Sequence, residues 1–582
     1  MVRVKTGTNP SEDAVPGALP GADAASGTDL FPGTVPAAAP GATATPGPGA
    51  PPRADRRGVT SLRADRRGAL LAGGAVLAGA LLTACTDDGG STDDAPRGPS
   101  ASATTGTGAG ATATRTTTAP PAKADWSALG SSLHGTLVRP QDQAYPTDRR
   151  LYNTRFDGLR PAAIAYVTGE DDVRACLDFA RRTATPLAIR SGGHSYAGWS
   201  SGDKKLIVDV SKLDSIRLDG TVATIGAGAR LIDVYSTLGA RGRTVPGGSC
   251  PSVAISGLTL GGGHGVLSRS MGLTCDNLIG ATIVTADGRT RAVSADAEPD
   301  LFWALRGAGN GNFGVVTSLR FTTHPAPSSV VTGYLTWPWS RAAAVVRAWQ
   351  SWGPDQPDHL WSALHLDCDA GGAPTVSVPM LSTGSRSGLS AAADALADAS
   401  GSPASSVSVH THGFVEAMFS YAGCESRSVA QCHLPPAGDL GRETYTARSD
   451  FYDADLSAAG VDTLLSQVAR LSSRSGSGTG SVALTALGGA VNRPAPTDTA
   501  FPHRRSRVLA QYIASDGLSS TSWLDTLHAA MRRHASGGAY ANYTDPTLTD
   551  WRTAYYGPNA PRLAALKSTL DPTRLFVYPQ SL

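Results

Sequence analysis

Two short segments of this chain set a reactive side chain in a tightly turning backbone: Arg190-Ser191-Gly192-Gly193-His194-Ser195-Tyr196 and Gly248-Ser249-Cys250-Pro251-Ser252-Val253. The second runs on through Gly257 into Gly261-Gly262-Gly263-His264-Gly265. Glycine lacks a Cβ, so its main-chain N–H can approach an anionic group closely, and successive N–H groups form nests that suit phosphates. His194, after two glycines, is expected to stand exposed at a tight turn. Cys250 offers a thiol, whose thiolate is a good nucleophile. His264 offers an imidazole able to accept a proton near pH 7. Tyr196, Tyr540 and Tyr543 are further candidates for proton transfer, but a phenol with an ordinary pKa near 10 must be activated by its surroundings. Read as a strand, residues 540–543 put Tyr540 and Asn542 on one face, which favours Tyr540 over Tyr543.

These side chains need elements to hold them. Residues 162–167 read as a strand, 171–183 as a helix and 186–190 as the strand that leads into the first glycine-rich loop. Residues 206–210 and 222–225 read as further strands, and 231–238 as a helix. Strands and helices mix without regular alternation, which favours an α+β fold. Gly309, Gly311 and Gly314 satisfy G-x-G-x-x-G, but the helical pattern (300–305) precedes them and a strand pattern (315–321) follows. A dinucleotide fingerprint needs the opposite order, so a Rossmann site is rejected. Beyond Pro325 the strand candidates are 376–380, 481–491 and 508–514, interleaved with amphipathic helices. Trp337, Trp339, Trp349, Trp352 and Trp361 fall in this region and read as core, with stacking on sugar rings as the functional alternative.

The 582 residues carry a formal net charge of +2 with 17% charged residues and no basic block, so nucleic acid is not an expected partner. With 41% hydrophobic residues the chain can bury a sizeable core. Residues 1–62 are rich in Ala, Gly, Pro and Thr and read as a disordered extension. Residues 63–85 contain Arg66-Arg67, an uncharged stretch and Leu82-Thr83-Ala84-Cys85. That segment resembles a twin-arginine export signal with a lipoprotein box, implying a protein exported and lipid-anchored to the cell membrane through Cys85. Residues 86–125 read as a flexible linker. Of the remaining cysteines, Cys424 and Cys432 are the best disulfide candidates, Cys176 and Cys275 read as packing, and the spacing does not suit a metal site.

Taken together, the two glycine-rich segments resemble the flavin-attachment segments of the berberine-bridge-enzyme-like oxidases, a branch of the vanillyl-alcohol-oxidase (PCMH-type) flavoproteins. The resemblance spans roughly residues 125–582 and includes Tyr540-Ala541-Asn542-Tyr543 and Tyr555-Tyr556-Gly557-Pro558-Asn559 near the C-terminus. It implies a two-part FAD-binding domain over 126–325, a substrate domain with a large antiparallel sheet backed by helices over 326–535, and a segment, 536–582, that crosses back to the FAD domain. It further implies FAD bonded to His194 and to Cys250. The cofactor cleft would be lined by Arg190, Ser191, Gly192, Gly193, Ser195, Gly257, Gly261, Gly262, Gly263, Gly265, Val315, Val316 and Asn542, with Val253 as an oxygen gate. Gln511 matches a position that hydrogen-bonds the substrate oxygen. His264 stands where many members have a tyrosine, and Leu509 where some have a lysine, which argues against a lysine-activated tyrosine. The implied activity is oxidation of a hydroxyl on a sugar, oligosaccharide or bulky natural product, with O2 as acceptor and H2O2 as product. A dehydrogenase of the same fold and a non-catalytic surface binding protein are the rivals.

Overall fold

In the computed structural model of the chain, residues 121–520 and 522–582 are described. The expectations for 1–62, for Arg66-Arg67 and Cys85, and for the linker up to residue 120 lie outside the described residues.

The helix Glu170–Thr183 shows how local sequence sets the first layer. Three acids open it, Arg181 and Arg182 close it, and Ala184 ends it in the left-handed region at φ 52°. Val173, Cys176, Leu177 and Ala180 recur at helical spacing and are buried against a four-stranded sheet. That sheet runs in the order Thr136–Val138, Ala163–Tyr166, Leu206–Asp209, Leu187–Arg190, with the last three strands parallel. The parallel strands deliver the C-terminal end of Leu187–Arg190 straight into the first glycine-rich loop. A second sheet of five antiparallel strands follows, centred on Leu278–Thr285 and Gly314–Thr322. Helix Pro299–Leu305 precedes Gly309-x-Gly311-x-x-Gly314 and a strand follows it, so the reversed polarity read from sequence holds.

Seven antiparallel strands form the third large sheet. Their order is Ser406–His412, Val330–Trp337, Thr375–Ser382, Leu360–Asp369, Thr479–Ala486, Val508–Ser515, Tyr445–Tyr452. Alternation decides its two faces. Along Val508–Ser515, Val508, Ala510, Tyr512 and Ala514 enter a core shared with Val345, Val346 and Trp349 of helix Ala342–Trp352 and with Leu524 and Leu527 of helix Trp523–Met531. Gln511 therefore points to the opposite face. The strand expected over 481–491 ends at Ala486; Gly488 (φ 97°) breaks the extended backbone and Gly489–Asn492 turns as a 3-10 helix. The tryptophans are packing residues: Trp337, Trp349 and Trp361 are buried, and Trp339 and Trp352 lie against the helix-side core.

The C-terminal segment is tied to the turn at residues 310–312 by buried polar contacts. Lys567 Nζ donates to the Asn312 carbonyl at 2.6 Å, the Phe576 carbonyl at 2.8 Å and Asp571 at 2.7 Å. Tyr578 donates to the Asn310 carbonyl at 2.9 Å. Cys424 and Cys432 form a disulfide, and Cys176 and Cys275 are buried in packing. Among the described residues no helix is long and apolar enough to cross a membrane.

Candidate active site

The first glycine-rich loop leaves its strand at Arg190, a buried guanidinium ion-paired with Asp209. Burial works against its charge, but Asp209 holds its pKa above the ordinary value. Ser191 Oγ donates to the Ala227 carbonyl at 2.8 Å and Ser195 Oγ accepts from the Trp199 N–H at 3.0 Å, so both serines brace the loop. Gly193 takes φ 72°, which aims His194 inward. The expectation of an exposed histidine is corrected here. His194 is half-buried because Tyr152 stacks on its ring with centroids 4.0 Å apart, and Nε2 lies 3.0 Å from Ser252 Oγ. Burial, helped by the nearby charge of Arg230, lowers its pKa to about 3, so the ring is a neutral imidazole at pH 7.

Cys250 is open to solvent at the cleft wall. Although the residue reaches solvent, packing around its sulfur and the carboxylate of Glu443 raise its thiol to about 11. Val253 is half-buried on the same segment and packs against the main core. Gly257 is exposed on helix Ile255–Leu260, with open space where a Cβ would stand. At Gly261 a Cβ would fall 2.1 Å from Asn542 Oδ1, and at Gly265 1.8 Å from the Gly247 carbonyl. Gly263 (φ 84°) donates its N–H to the Tyr540 hydroxyl at 2.8 Å. Val315 and Val316 are buried in two different cores, so their side chains do packing work.

The expected strand at 540–543 is a 3-10 turn, Ala541–Tyr543. Tyr540 and Asn542 therefore do not share a strand face, and alternation does not favour Tyr540. Tyr540 is buried, and its hydroxyl accepts from the Gly263 N–H and from Asn542 Nδ2 at 2.9 Å, which makes it a brace for the turn. Tyr543 faces the cleft instead. Its hydroxyl lies 2.6 Å from His264 Nε2, and its ring stacks on Tyr196 at 5.1 Å. Gln511 Nε2 donates to the Tyr196 hydroxyl at 2.7 Å. Burial lowers the His264 pKa to about 4, and burial together with Tyr196 and Tyr540 raises that of Tyr543 well above 10. One cleft thus brings together His194, Cys250, Tyr196, Gln511, His264 and Tyr543. Tyr152, Glu443 and Tyr445 also line it; Tyr445 packs edge-on to Tyr196 at 5.2 Å, and burial raises the Glu443 pKa. Sequence reading missed these three. Tyr445 opens a recognisable strand, but nothing local marks Tyr152 or Glu443.

Do these residues fit a flavin dinucleotide? Arg190 Nη1 and Arg230 Nη1 are buried without a partner in the protein, as is Asn310 Oδ1. A Cβ on Gly192 would meet the Ala254 N–H at 2.7 Å and Arg230 Nη1 at 3.0 Å. The Ala254 N–H and the Arg230 guanidinium thus meet at a bare stretch of backbone beside the Ser252 carbonyl, and the two donors suit a pyrophosphate.

The fold and the cleft define an FAD-dependent oxidoreductase. Residues 161–294 match the family described as FAD binding domain, and residues 539–582 the family described as berberine and berberine like. An uncharacterised FAD-linked oxidoreductase, YgaK of Bacillus subtilis, is 32% identical over 463 residues, spanning 78% of this chain and 97% of that protein. The chitooligosaccharide oxidase of Gibberella zeae is 31% identical over 76% of this chain and 90% of its own length. Among solved structures, Physcomitrella patens BBE-like 1 superposes with a TM-score of 0.72 at 26% identity, covering 78% of this chain and 98% of that one. The chain belongs to the berberine-bridge-enzyme-like family of FAD-linked oxidoreductases.

Proposed function

We propose that the protein is an oxidase of carbohydrate hydroxyls, with FAD held covalently by His194 and Cys250 and its pyrophosphate held by the Gly192-Gly193 loop with Arg190 and Arg230. The observation that carries the reading is the line of contacts from Gln511 through Tyr196 and Tyr543 to His264. FAD, when bound, supplies a two-electron acceptor for hydride from carbon and passes the pair to O2, giving H2O2. Gln511 and Tyr196 hold the substrate oxygen. Tyr543 takes the hydroxyl proton as its own moves to His264 Nε2, so no phenolate has to exist in the resting site. His264 is unprotonated at pH 7 and free to accept, but burial makes it a weaker base than the pH 7 acceptor expected from sequence, so the proton rests on it only transiently. Val253 leaves room for O2 to approach. The name of the Gibberella zeae relative, a chitooligosaccharide oxidase, supports an oligosaccharide as the substrate class.

Export and lipid anchoring at Cys85 complete the reading, supported by Arg66-Arg67 and by the Cys424–Cys432 disulfide, which suits an oxidising compartment. Intact mass spectrometry of acid-denatured protein tests the cofactor arm: one FAD should stay on the chain, and should stay in Cys250→Ala through His194. Peroxide release from a panel of reducing oligosaccharides tests the reaction. Reduced flavin that persists for minutes in air would refute the oxidase and leave a dehydrogenase.

A further inference from the structure

A pocket of about 130 Å³ opens beside Tyr196, between the turn at Arg155, the start of strand Tyr445–Tyr452 and the C-terminal segment near Thr544. Its polar lining is Arg155, Arg448, Thr446, Thr544 and Thr547 with Tyr196, and no aspartate or glutamate contributes to it. The two guanidiniums differ. Arg448 is already neutralised, lying 3.1 Å from Asp545 and 2.8 Å from Asp525. Arg155 is held by neutral groups: the Tyr445 carbonyl at 3.4 Å, the Thr446 hydroxyl and the ring of Phe156. It makes no ion pair among the described residues. The residue as a whole is exposed, while desolvation where it packs and the charge of Arg448 hold its pKa below the ordinary value.

We propose that this pocket binds a carboxylate on the substrate, a uronic acid unit adjoining the sugar being oxidised, and that Arg155 selects for it. The guanidinium fork matches a carboxylate, and the hydroxyls of Thr544 and Thr547, which donate to the Ala541 carbonyl at 2.6 Å and to Asp545 at 2.7 Å, can still accept from the hydroxyls of a sugar ring. Tyr196 lines the pocket and also accepts from Gln511, so the pocket lies one side chain away from the reaction cleft. The proposal rests on the carbohydrate reading, and its test keeps the two apart.

Isothermal titration of the holoenzyme would compare two alditols, cellobiitol and the alditol of cellobiouronic acid, which lack an anomeric hydroxyl and differ only in the carboxylate. The acidic ligand should bind about tenfold more tightly, the size of one charge-assisted contact. Added salt should shrink that preference. Arg155→Leu should abolish it, and Arg155→Lys should keep part of it. Equal affinities in the wild type, or a preference that survives Arg155→Leu, overturns the assignment. Oxidation of cellobiose with no gain for the acidic disaccharide also overturns it while leaving the carbohydrate reading intact. Arg155-dependent binding of the acidic alditol, with neither disaccharide oxidised, leaves a carboxylate site but overturns its place beside the sugar being oxidised.

Discussion

Tyr543 is hard to ionise, because burial and two neighbouring phenols raise its pKa well above 10. Its value as a base therefore depends on the neutral imidazole 2.6 Å away. Tyr543→Phe should lower kcat by about 10²–10⁴-fold, the usual worth of a positioned acid–base group, with a smaller change in KM. The relay needs unprotonated His264, whose pKa is about 4, so kcat should be flat at neutral pH and fall as the pH drops toward 4. In His264→Asn that acid limb should vanish from the pH–rate profile along with most of the activity. Tyr540→Phe tests the opposite assignment. It strips an acceptor from the Gly263 N–H and the Asn542 amide, so it should cost about 1–3 kcal/mol of stability in denaturant titration yet preserve the acid limb.

At the scale of elements, the C-terminal segment reaches the cleft through Tyr543 and is anchored by buried polar contacts of Lys567. Lys567 and Asp571 form a buried pair, 2.7 Å apart. Asp571→Ala should destabilise the fold by about 3–5 kcal/mol, since it leaves an ammonium buried without a counter-charge, and limited proteolysis should then cut within residues 539–582 first. Gly261→Ala acts at the other end of the same junction, driving a methyl into Asn542 and Asn310. The strand and helix assignments around the first loop were readable because their apolar spacing and the acids and bases at the ends of Glu170–Thr183 agree with each other. The turn at 540–543 was not readable. Its conformation answers to Gly263, hundreds of residues away, and a three-residue segment has too little pattern of its own.

For the molecule as a whole, buried neutral histidines set the acid side of the stability profile. His503 stacks on Phe451 at 4.0 Å, and burial lowers its pKa to about 3. The unfolded histidine titrates near 6.5, so between about 6.5 and 3 the unfolded chain binds a proton that the native protein refuses. Stability should be full above about pH 6.5 and decline as the pH falls through that window. Calorimetry at neutral and mildly acidic pH should show a lower Tm in acid, with a shallower decline in His503→Phe than in the wild type.

Sequence alone determined the chemistry on offer: a histidine and a cysteine set in glycine-rich turns, an α+β mixture of elements without regular alternation, and a reversed glycine motif that excluded a Rossmann site. Those features are local, and short-range pattern is enough to specify them. Which tyrosine faces His264, what stacks on His194, and where Arg155 finds itself without a counter-charge were decided only by tertiary structure. Each depends on residues distant in the chain, such as Tyr152 against His194 and Tyr445 against Tyr196, meeting across a cleft. A pKa, a stack or an unpaired charge belongs to the surroundings of a side chain, and those surroundings come into being only when the sheets close on one another.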